Sequence, residues 1–368
     1  MALVKAKRDE LLGPLSAVSG IIERRHTLPI LSNVLIDRAD GSLSFLATDI
    51  EIQITARSTL AAGAEAKPVT VGARKLVDIL RALPEETEVT VQQQDKRLQV
   101  KAGRSRFTLQ TLPAEDFPRL ARPSGEVARF AVAQKELRRL LGLVQYAMAQ
   151  QDIRYYLNGM LVLIEDKELR LVATDGHRLA YAATTLQAGL PRLEVIVPRK
   201  TVLELSKLLA DSDDEVRIEL SPTQAAFSFG TVELVSKLVD GKFPDYTRVI
   251  PTQHKNSVKL ERDVLRQALQ RAAILSNEKF RGVRWVLTDG SLKIVSSNTE
   301  QEEAQEELEV QYGGDALDIG FNVNYLLDVL NNVPGPEVEC RFGDAASSAL
   351  LQFPAEPAFK YVVMPMRI

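Results

Sequence analysis

The chain repeats one pattern three times at a spacing of roughly 125 residues, and this repetition limits the fold more than any other feature. An apolar run that ends in a polar turn occurs as LSFLATDIEIQI from Leu43, as LRLVATDGHRLAYA from Leu169 and as LKIVSSNTEQEEA from Leu292. Measured from the Thr or Ser before each turn, the two intervals are 126 and 123 residues. Repeated supersecondary units of this kind predict an array of similar domains.

Two further markers recur with the same period. One is helix-like: GARKLVDILRAL from Gly72, VPRKTVLELSKLL from Val197 and FNVNYLLDVLNNV from Phe321. The other, FPRL from Phe117 and FPDY from Phe243, closes the first two units. We therefore expect three domains of ordinary size, at residues 1–124, 125–254 and 255–368, with boundaries where apolar periodicity lapses.

Each unit predicts two helices and several short strands. Helix patterns begin near residues 8, 74, 135, 200, 262 and 323, and their apolar residues recur every 3.6 positions, as at Leu265, Leu269 and Ala272. Between the helices the period is two, with turn pairs such as Asp95-Lys96 and Asp289-Gly290. The predicted fold class is α+β, with three tandem similar domains of antiparallel sheets and two helices in each domain.

Apolar runs and cysteine content indicate in which compartment the protein works. No apolar run approaches the roughly 18 residues of a membrane span, and MALVKAKRDE has no signal-peptide core. We therefore expect a soluble, cytoplasmic protein. Cys340 is the only cysteine, so it cannot form an internal disulfide and is expected to be a small buried apolar residue.

Catalytic motifs are not found in the sequence. There is no GxxxxGK loop, no GxGxxG after a strand, no HExxH and no second Cys for a metal site. Asp175, His177 and Arg178 in TDGHR could suggest an acid–base pair, but Asp175-Gly176 is also typical of a tight turn with positive φ at Gly176. We favour the turn, and we expect no enzyme, no catalytic residue and no metal site.

Charge is distributed unevenly along the chain. The net charge is −3, yet the predicted helix segments together carry +9, which leaves −12 for the rest. These segments are 5–25, 73–82, 134–145, 198–209, 259–275 and 321–332. A tandem array points equivalent helix faces in one direction, so the basic faces would form one positive surface suited to phosphate backbone. Alternatively, these charged side chains bind no partner and only keep the exposed helix faces in contact with water.

Several long segments resemble the bacterial beta sliding clamps, the processivity subunits of replicative DNA polymerase. They are QDIRYYLNGM from Gln151, VATDGHRLA from Val172, SKLVDGKFPDY from Ser236, ILSNEKFRGVR from Ile274 and the C-terminal YVVMPMRI. The resemblance covers the whole chain. It implies a head-to-tail ring dimer around duplex DNA, with helices lining the hole and sheets outside. No cofactor is implied, and a separate ATP-driven clamp-loader complex would open the ring.

The resemblance also implies residues that contact DNA without reading its sequence, through phosphates. They are Arg25, Arg74, Gln151, Tyr155, Tyr156, Arg199 and Lys200. Tyr155 and Tyr156 could instead be ordinary strand aromatics.

A groove for short peptides of partner proteins is implied on one surface. Its residues are Leu157, Thr174, Gly176, His177, Arg178, Leu179, Pro244, Val249, Asn322, Tyr325, Ser348, Val362, Met364, Pro365, Met366 and Arg367. The expected partners are the replicative polymerase, the clamp loader, other polymerases and repair proteins. Val362, Met364 and Met366 suit a Leu or Phe anchor, and Arg178 could hold the ends of the peptide. Alternatively, VVMPM is a last core strand.

We expect the homodimer to join the first domain of one chain to the third domain of the other. A Glu-rich block in the third unit faces a basic block in the first, and apolar side chains must contribute most of the binding energy. The predicted interface residues are Lys75, Arg104, Arg106, Phe107, Leu109, Ile274, Leu275, Glu300, Glu303 and Glu306. Two other classes remain open: a structural array that binds only proteins, and an enzyme with a cleft between the repeated domains.

Overall fold

A computed structural model describes residues 2–23, 27–63 and 67–368. Six α-helices lie in these residues: α1 (Arg8–Ser19), α2 (Ala73–Ala82), α3 (Gln134–Val144), α4 (Arg199–Leu208), α5 (Arg262–Ile274) and α6 (Val323–Asn332). Each helix begins within one residue of its predicted start, so the prediction of two helices in each repeat is confirmed.

The same residues contain 22 strands, and all neighbouring strands pair antiparallel, as predicted. In chain order they are β1 (Ala2–Lys7), β2 (Asn33–Ala39), β3 (Ser42–Thr48), β4 (Ile52–Ala61), β5 (Val69–Gly72), β6 (Glu88–Gln94), β7 (Arg97–Ala102), β8 (Ser105–Leu112), β9 (Ala128–Ala133), β10 (Gly159–Thr174), β11 (Arg178–Pro198), β12 (Glu215–Leu220), β13 (Gln224–Phe229), β14 (Val232–Lys237), β15 (Asn256–Glu261), β16 (Gly282–Thr288), β17 (Ser291–Ser297), β18 (Glu303–Glu309), β19 (Leu317–Asn322), β20 (Glu337–Phe342), β21 (Ala349–Phe353) and β22 (Glu356–Val363).

The helices form because each buries one apolar stripe. In α5, Leu265, Leu269 and Ala272 are all buried, and they recur at the spacing of one helix face. Strands follow the other period: β15 alternates between buried and exposed residues along its whole length. Among the described residues, no helix is both long and apolar enough to cross a membrane.

The described chain packs as two compact units, and the first contains residues up to Leu137 together with Leu203–Leu238. Its strands form one sheet in the order β1-β6-β7-β8-β5-β2-β3-β4-β14-β13-β12-β9. The strand β4 of the first repeat pairs with β14 of the second, with Ile54 opposite Leu234. This sheet therefore runs across the domain boundary predicted near residue 124.

The second unit contains Arg138–Val202 and Val239–Ile368. Its two sheets have the orders β10-β11-β22-β21-β20-β15 and β18-β17-β16-β19. The pairing of β11 with β22, with Leu179 opposite Val362, joins the second repeat to the third. The compact units therefore do not coincide with the three repeats, and the boundaries after residues 124 and 254 stay a prediction.

Aromatic side chains fill part of the core of the second unit. The ring of Trp285 meets Phe321 and Phe342 edge-on, at centroid distances of 5.6 and 6.3 Å. Cys340 is fully buried, as the sequence predicts, and burial raises the pKa of its thiol. This thiol is therefore protonated and packs as a small apolar group.

Candidate functional site

The turn Thr174–Arg178 joins β10 to β11 and is held by its own side chains. The backbone N–H of Gly176 donates to Thr174 Oγ1 at 3.1 Å, and those of His177 and Arg178 donate to Asp175 Oδ1 at 2.9 and 3.0 Å. Gly176 has φ +89°, a conformation that favours glycine. The predicted tight turn is confirmed.

Among the described residues, no group of His, Cys, Asp and Glu is placed to hold a metal ion.

The first repeat has the same turn with different side chains. Asp49 Oδ1 accepts hydrogen bonds from the backbone N–H groups of Glu51 and Ile52 at 2.9 and 2.8 Å. Ile50 takes the place of the glycine, also with positive φ, at 71°. The two turns share their backbone conformation. His177 and Arg178 therefore distinguish the turn of the second repeat from that of the first.

A cavity of about 160 Å³ opens beside the Thr174–Arg178 turn, within the second unit. Its floor belongs to a cluster of buried apolar side chains that includes Leu179, Phe243 and Val362. We call this surface the groove. Residues predicted for the peptide site that line it are Leu157, Thr174, Gly176, His177, Arg178, Leu179, Pro244, Val249, Val362 and Met364.

Four further residues line the groove without having been predicted there: Arg154, Tyr156, Phe243 and Tyr246. Tyr156, which the resemblance assigns to DNA, packs against the buried apolar cluster. Phe243 and Tyr246 are buried members of that cluster. Both residues lie in FPDY, the counterpart of FPRL in the first unit, so the sequence marked this segment although it did not mark it as part of the groove.

Arg154 is a half-exposed cation on the wall of the groove. Its Nε and Nη2 donate to the two carboxylate oxygens of Asp152 at 3.0 and 2.8 Å, and these hydrogen bonds lower the pKa of Asp152 to about 2. Its Nη2 also donates to the carbonyl oxygen of Asp175 at 3.3 Å. A Cβ on Gly176 would lie 2.9 Å from the guanidinium, so the glycine leaves room for Arg154.

Arg178 lies beneath the turn, with only 9% of its side chain exposed. Its Nε donates to Asp175 Oδ2 at 3.1 Å, its Nη1 to Asp328 Oδ2, and its Nη2 to the carbonyl oxygen of Tyr146 at 2.6 Å. The guanidinium carbon lies 4.5 Å from the ring centre of Tyr325. Burial opposes the positive charge, but the surrounding phenol and carboxylate groups outweigh burial and raise the pKa of Arg178.

The other residues predicted for the groove are absent from its lining in the described chain. Tyr325 stacks on Arg178, Asn322 caps α6 with its side-chain oxygen, and the backbone N–H of Met366 donates to Gly320 O at 2.9 Å. These three residues support the helix, the turn or the C-terminal segment. Six predicted groove residues are absent from the lining in the described chain: Asn322, Tyr325, Ser348, Pro365, Met366 and Arg367.

Part of the C-terminal VVMPM segment is a core strand, and part of it is exposed on the groove. Val362 and Val363 are both buried at the end of β22, and consecutive strand residues point to opposite faces of the sheet. Met364 follows the strand, donates its backbone N–H to His177 O at 2.9 Å and is 40% exposed. The core-strand alternative therefore applies as far as Val363, and Met364 is the exposed apolar group on the groove.

The residues predicted to contact DNA fall on separate segments, and Arg25 lies outside the described residues. Gln151 and Tyr155 occupy the segment between α3 and β10, where both are exposed. Arg199 begins α4 and donates to carbonyl oxygens near both ends of this segment, at 3.0 and 3.4 Å. The structure thus brings Arg199, and Lys200 after it, to the segment that carries Gln151 and Tyr155.

Within the described residues of the first unit, β8 leaves most of one edge without a strand partner. Its residues 105 to 110 pair with β7, whereas only Thr111 and Leu112 pair with β5 on the other side. Phe107 and Leu109 are half-buried on this strand. A cavity of about 410 Å³ lies between the first turn of α2 and the end of β8. Exposed basic side chains lie around this cavity (Arg74 and Lys75), on β8 (Arg106) and in the turn before β8 (Arg104).

In the second unit, β18 is the outermost strand of its sheet, so one edge has no strand partner in the described chain. Ile274, the last residue of α5, is 76% exposed, and Leu275 after it is half-buried. Glu306 accepts two hydrogen bonds from Arg271 at 2.8 and 2.6 Å, and these bonds lower the pKa of Glu306. The other predicted acidic residues, Glu300 and Glu303, are exposed.

Comparison with known proteins accounts for this architecture. Models of the DNA polymerase III beta subunit match the chain with the N-terminal domain at residues 3–121, the central domain at 131–245 and the C-terminal domain at 247–367. Among curated relatives named beta sliding clamp, the Pseudomonas aeruginosa protein is 49% identical over 365 residues, and the Escherichia coli protein is 48% identical over 362 residues. Each comparison covers 98% of this chain and 99% of the relative.

Solved structures agree with the sequence relatives. The DNA polymerase III subunit beta of Pseudomonas aeruginosa is 48% identical, with a TM-score of 0.95. A sliding clamp from the same organism bound to griselimycin gives the same values, and Caulobacter crescentus pol III beta is 40% identical with a TM-score of 0.92. Every comparison covers 100% of both chains. The chain therefore belongs to the DNA polymerase III beta subunit family, the bacterial beta sliding clamps.

Proposed function

We propose that two copies of this chain close head to tail into a ring that encircles duplex DNA, and that each copy tethers partner proteins through the groove. The groove itself is the observation that carries the tethering role, because it combines a buried apolar floor with polar groups on its wall. Family membership supports the processivity role. The proposed partners are the replicative polymerase, the clamp loader, and other polymerases and repair proteins.

The chemistry of the groove suits a short peptide with apolar anchors. Leu179, Phe243 and Val362 form a floor on which a Leu or Phe side chain can be buried. Each buried anchor contributes about 1.5–3 kcal/mol, whereas a micromolar complex needs about 8 kcal/mol. Two anchors therefore supply roughly half of that binding energy, and hydrogen bonds to Arg154, His177 and nearby backbone groups would supply the remainder.

The dimer contact is supported by two open strand edges of opposite charge. Exposed edges are sites where another strand can add. The strand β8 carries Arg106 and is preceded directly by Arg104 in the turn from β7, and β18 is rich in glutamate. Exposed ion pairs contribute only about 0.2–1 kcal/mol each. The exposed side chain of Ile274 supplies the apolar surface that this contact needs. A heterologous contact of this kind closes a ring when its rotation permits.

The proposed DNA contact uses phosphates and no base-reading pairs. Lys and Arg side chains on helices, such as Arg74, Arg199 and Lys200, supply positive charge without sequence preference. With this function the chain acts in the cytoplasm, where the chromosome lies. It also requires a separate clamp loader to open the ring.

Retention on DNA tests the ring. After loading onto a nicked circular plasmid by a clamp loader, the wild-type protein should stay bound at high salt and should be released when the plasmid is linearised. Arg199→Ala should lower the loaded fraction, whereas Lys259→Ala, an exposed cation on β15, should not. Retention on linear DNA would indicate an open groove binder. No binding at all would favour a protein-binding array or an enzyme with a cleft between the repeated domains.

A further inference from the structure

Arg178 joins three separate segments of the second unit. Each of its guanidinium nitrogens donates to a different partner: the Asp175 carboxylate in the turn, the Asp328 carboxylate on α6 and the carbonyl oxygen of Tyr146. Tyr325, also on α6, stacks on the same guanidinium. A partner peptide could recruit these nitrogens as its principal hydrogen-bond donors only by displacing contacts that the chain already makes.

The same contacts extend to the strand beside the groove. The hydroxyl of Tyr361 donates to the carbonyl oxygen of Tyr325 at 2.9 Å, which ties β22 to α6. The next residue on β22, Val362, lines the groove. Two walls of the groove, the turn and the end of β22, are therefore both attached to α6.

We propose that Arg178 is a positioning residue: it fixes the turn Thr174–Arg178 against α6, and this attachment holds Thr174, Gly176 and His177 at the position beside β22 that a bound peptide requires. The inference rests on the proposed function of the groove. It assigns a role in partner binding to Asp328, which is absent from the groove lining in the described chain and lies 150 residues beyond Arg178 in sequence.

Asp328 is a suitable residue for the test. Its side chain is 41% exposed, so the isosteric change Asp328→Asn leaves no buried charge on α6. The change removes the charged partner of Arg178 Nη1, and a buried cation that loses a partner rearranges or takes up water. The turn bonded to Arg178 should then lose its fixed position, although no group that touches the peptide has been altered.

The experiment is a double-mutant cycle measured by isothermal titration calorimetry on the full chain. Griselimycin is the probe, because the related Pseudomonas aeruginosa sliding clamp binds it. We expect Asp328→Asn and Arg178→Ala each to weaken binding by roughly tenfold, and the double variant to bind no more weakly than Arg178→Ala alone, because Asp328 acts through Arg178. Additive losses, or wild-type affinity for Asp328→Asn, would overturn the proposal.

A conservative variant separates positioning from direct contact. Arg178→Lys keeps the positive charge but cannot serve three partners in one plane, so it should remain as weak as Arg178→Ala. Recovery of wild-type affinity by lysine would show a simple charge contact with the ligand and would contradict the inference. If Arg178→Ala does not fold, the cycle is run with Arg178→Lys.

Two controls keep the outcomes distinct. Asp318→Asn breaks an exposed pair with Arg284 (2.7 Å) in the same unit and should leave affinity unchanged. Val249→Asp and Met364→Ala alter the lining itself and should weaken binding. If neither lining variant weakens binding, the proposed function of the groove fails. If they do and the cycle is additive, only the positioning role fails. Thermal unfolding and sedimentation verify that each variant is folded.

Discussion

Replacing Ile274 by Ala tests the proposed ring at the most exposed apolar side chain of the predicted interface. The substitution removes three carbon atoms, each contributing about 0.8 kcal/mol when buried. Because 76% of Ile274 is exposed in the single chain, most of that surface remains for a partner to cover. The loss is then about 1.8 kcal/mol per interface. A head-to-tail dimer has two such interfaces, so its dissociation constant should rise by roughly 400-fold.

Sedimentation velocity over a concentration series measures this change. The wild-type protein should remain dimeric at concentrations where Ile274→Ala is largely monomeric, and adding Leu275→Ala should remove the dimer at all accessible concentrations. Val264→Ala is the matched control, because Val264 lies on the same helix, is 43% exposed and is outside the predicted interface. Equal dissociation constants for Ile274→Ala and Val264→Ala would refute the assignment of α5 to the dimer contact.

Three further perturbations address the groove. Deleting Met364–Ile368 should abolish griselimycin binding by calorimetry and processive synthesis by the polymerase, while sedimentation still shows a dimer. Gly176→Ala should lower stability by about 1–2 kcal/mol in thermal unfolding, because φ is +89°, and should also weaken binding by displacing Arg154; unchanged values for both would contradict this account. The pKa of Asp152 falls from about 3.9 in an unfolded chain to about 2, so its pair with Arg154 is fully formed above pH 4 and is lost as the pH falls through 2. Griselimycin affinity should therefore not change through this pair between pH 8 and 5, and Asp152→Asn should not alter the pH profile in that range.

Local features of the fold could be predicted from the sequence because they depend on residues close in the chain. The 3.6-residue period placed the start of α5 at Arg262, and turn pairs such as Asp289-Gly290 placed a hairpin between β16 and β17. Pairing between repeats could not be predicted in this way. The contact of Ile54 with Leu234 joins strands that are far apart in sequence, and each strand alone has the same pattern as any half-buried strand.

The site was predictable to a similar degree and for a similar reason. The TDGHR turn and the C-terminal VVMPM stand out locally, and the family resemblance connected them. The resemblance assigned both Tyr155 and Tyr156 to DNA, and no signal in the sequence indicated that the side chain of Tyr156 packs against an apolar cluster. The partner of Arg178 was missed because nothing in the sequence around Asp328 marks a carboxylate that pairs with a distant turn.

The two related turns indicate how a binding surface arises on a repeated scaffold. Asp49 and Asp175 accept the same pair of backbone hydrogen bonds, and both turns contain a residue with positive φ even though the first repeat has Ile50 there. The hydrogen bonds of the aspartate therefore accompany the turn shape even without glycine. Glycine in the second repeat has an additional consequence, since it admits the guanidinium of Arg154. The repeat thus supplies the backbone, and the specific function depends on the side chains that differ between repeats.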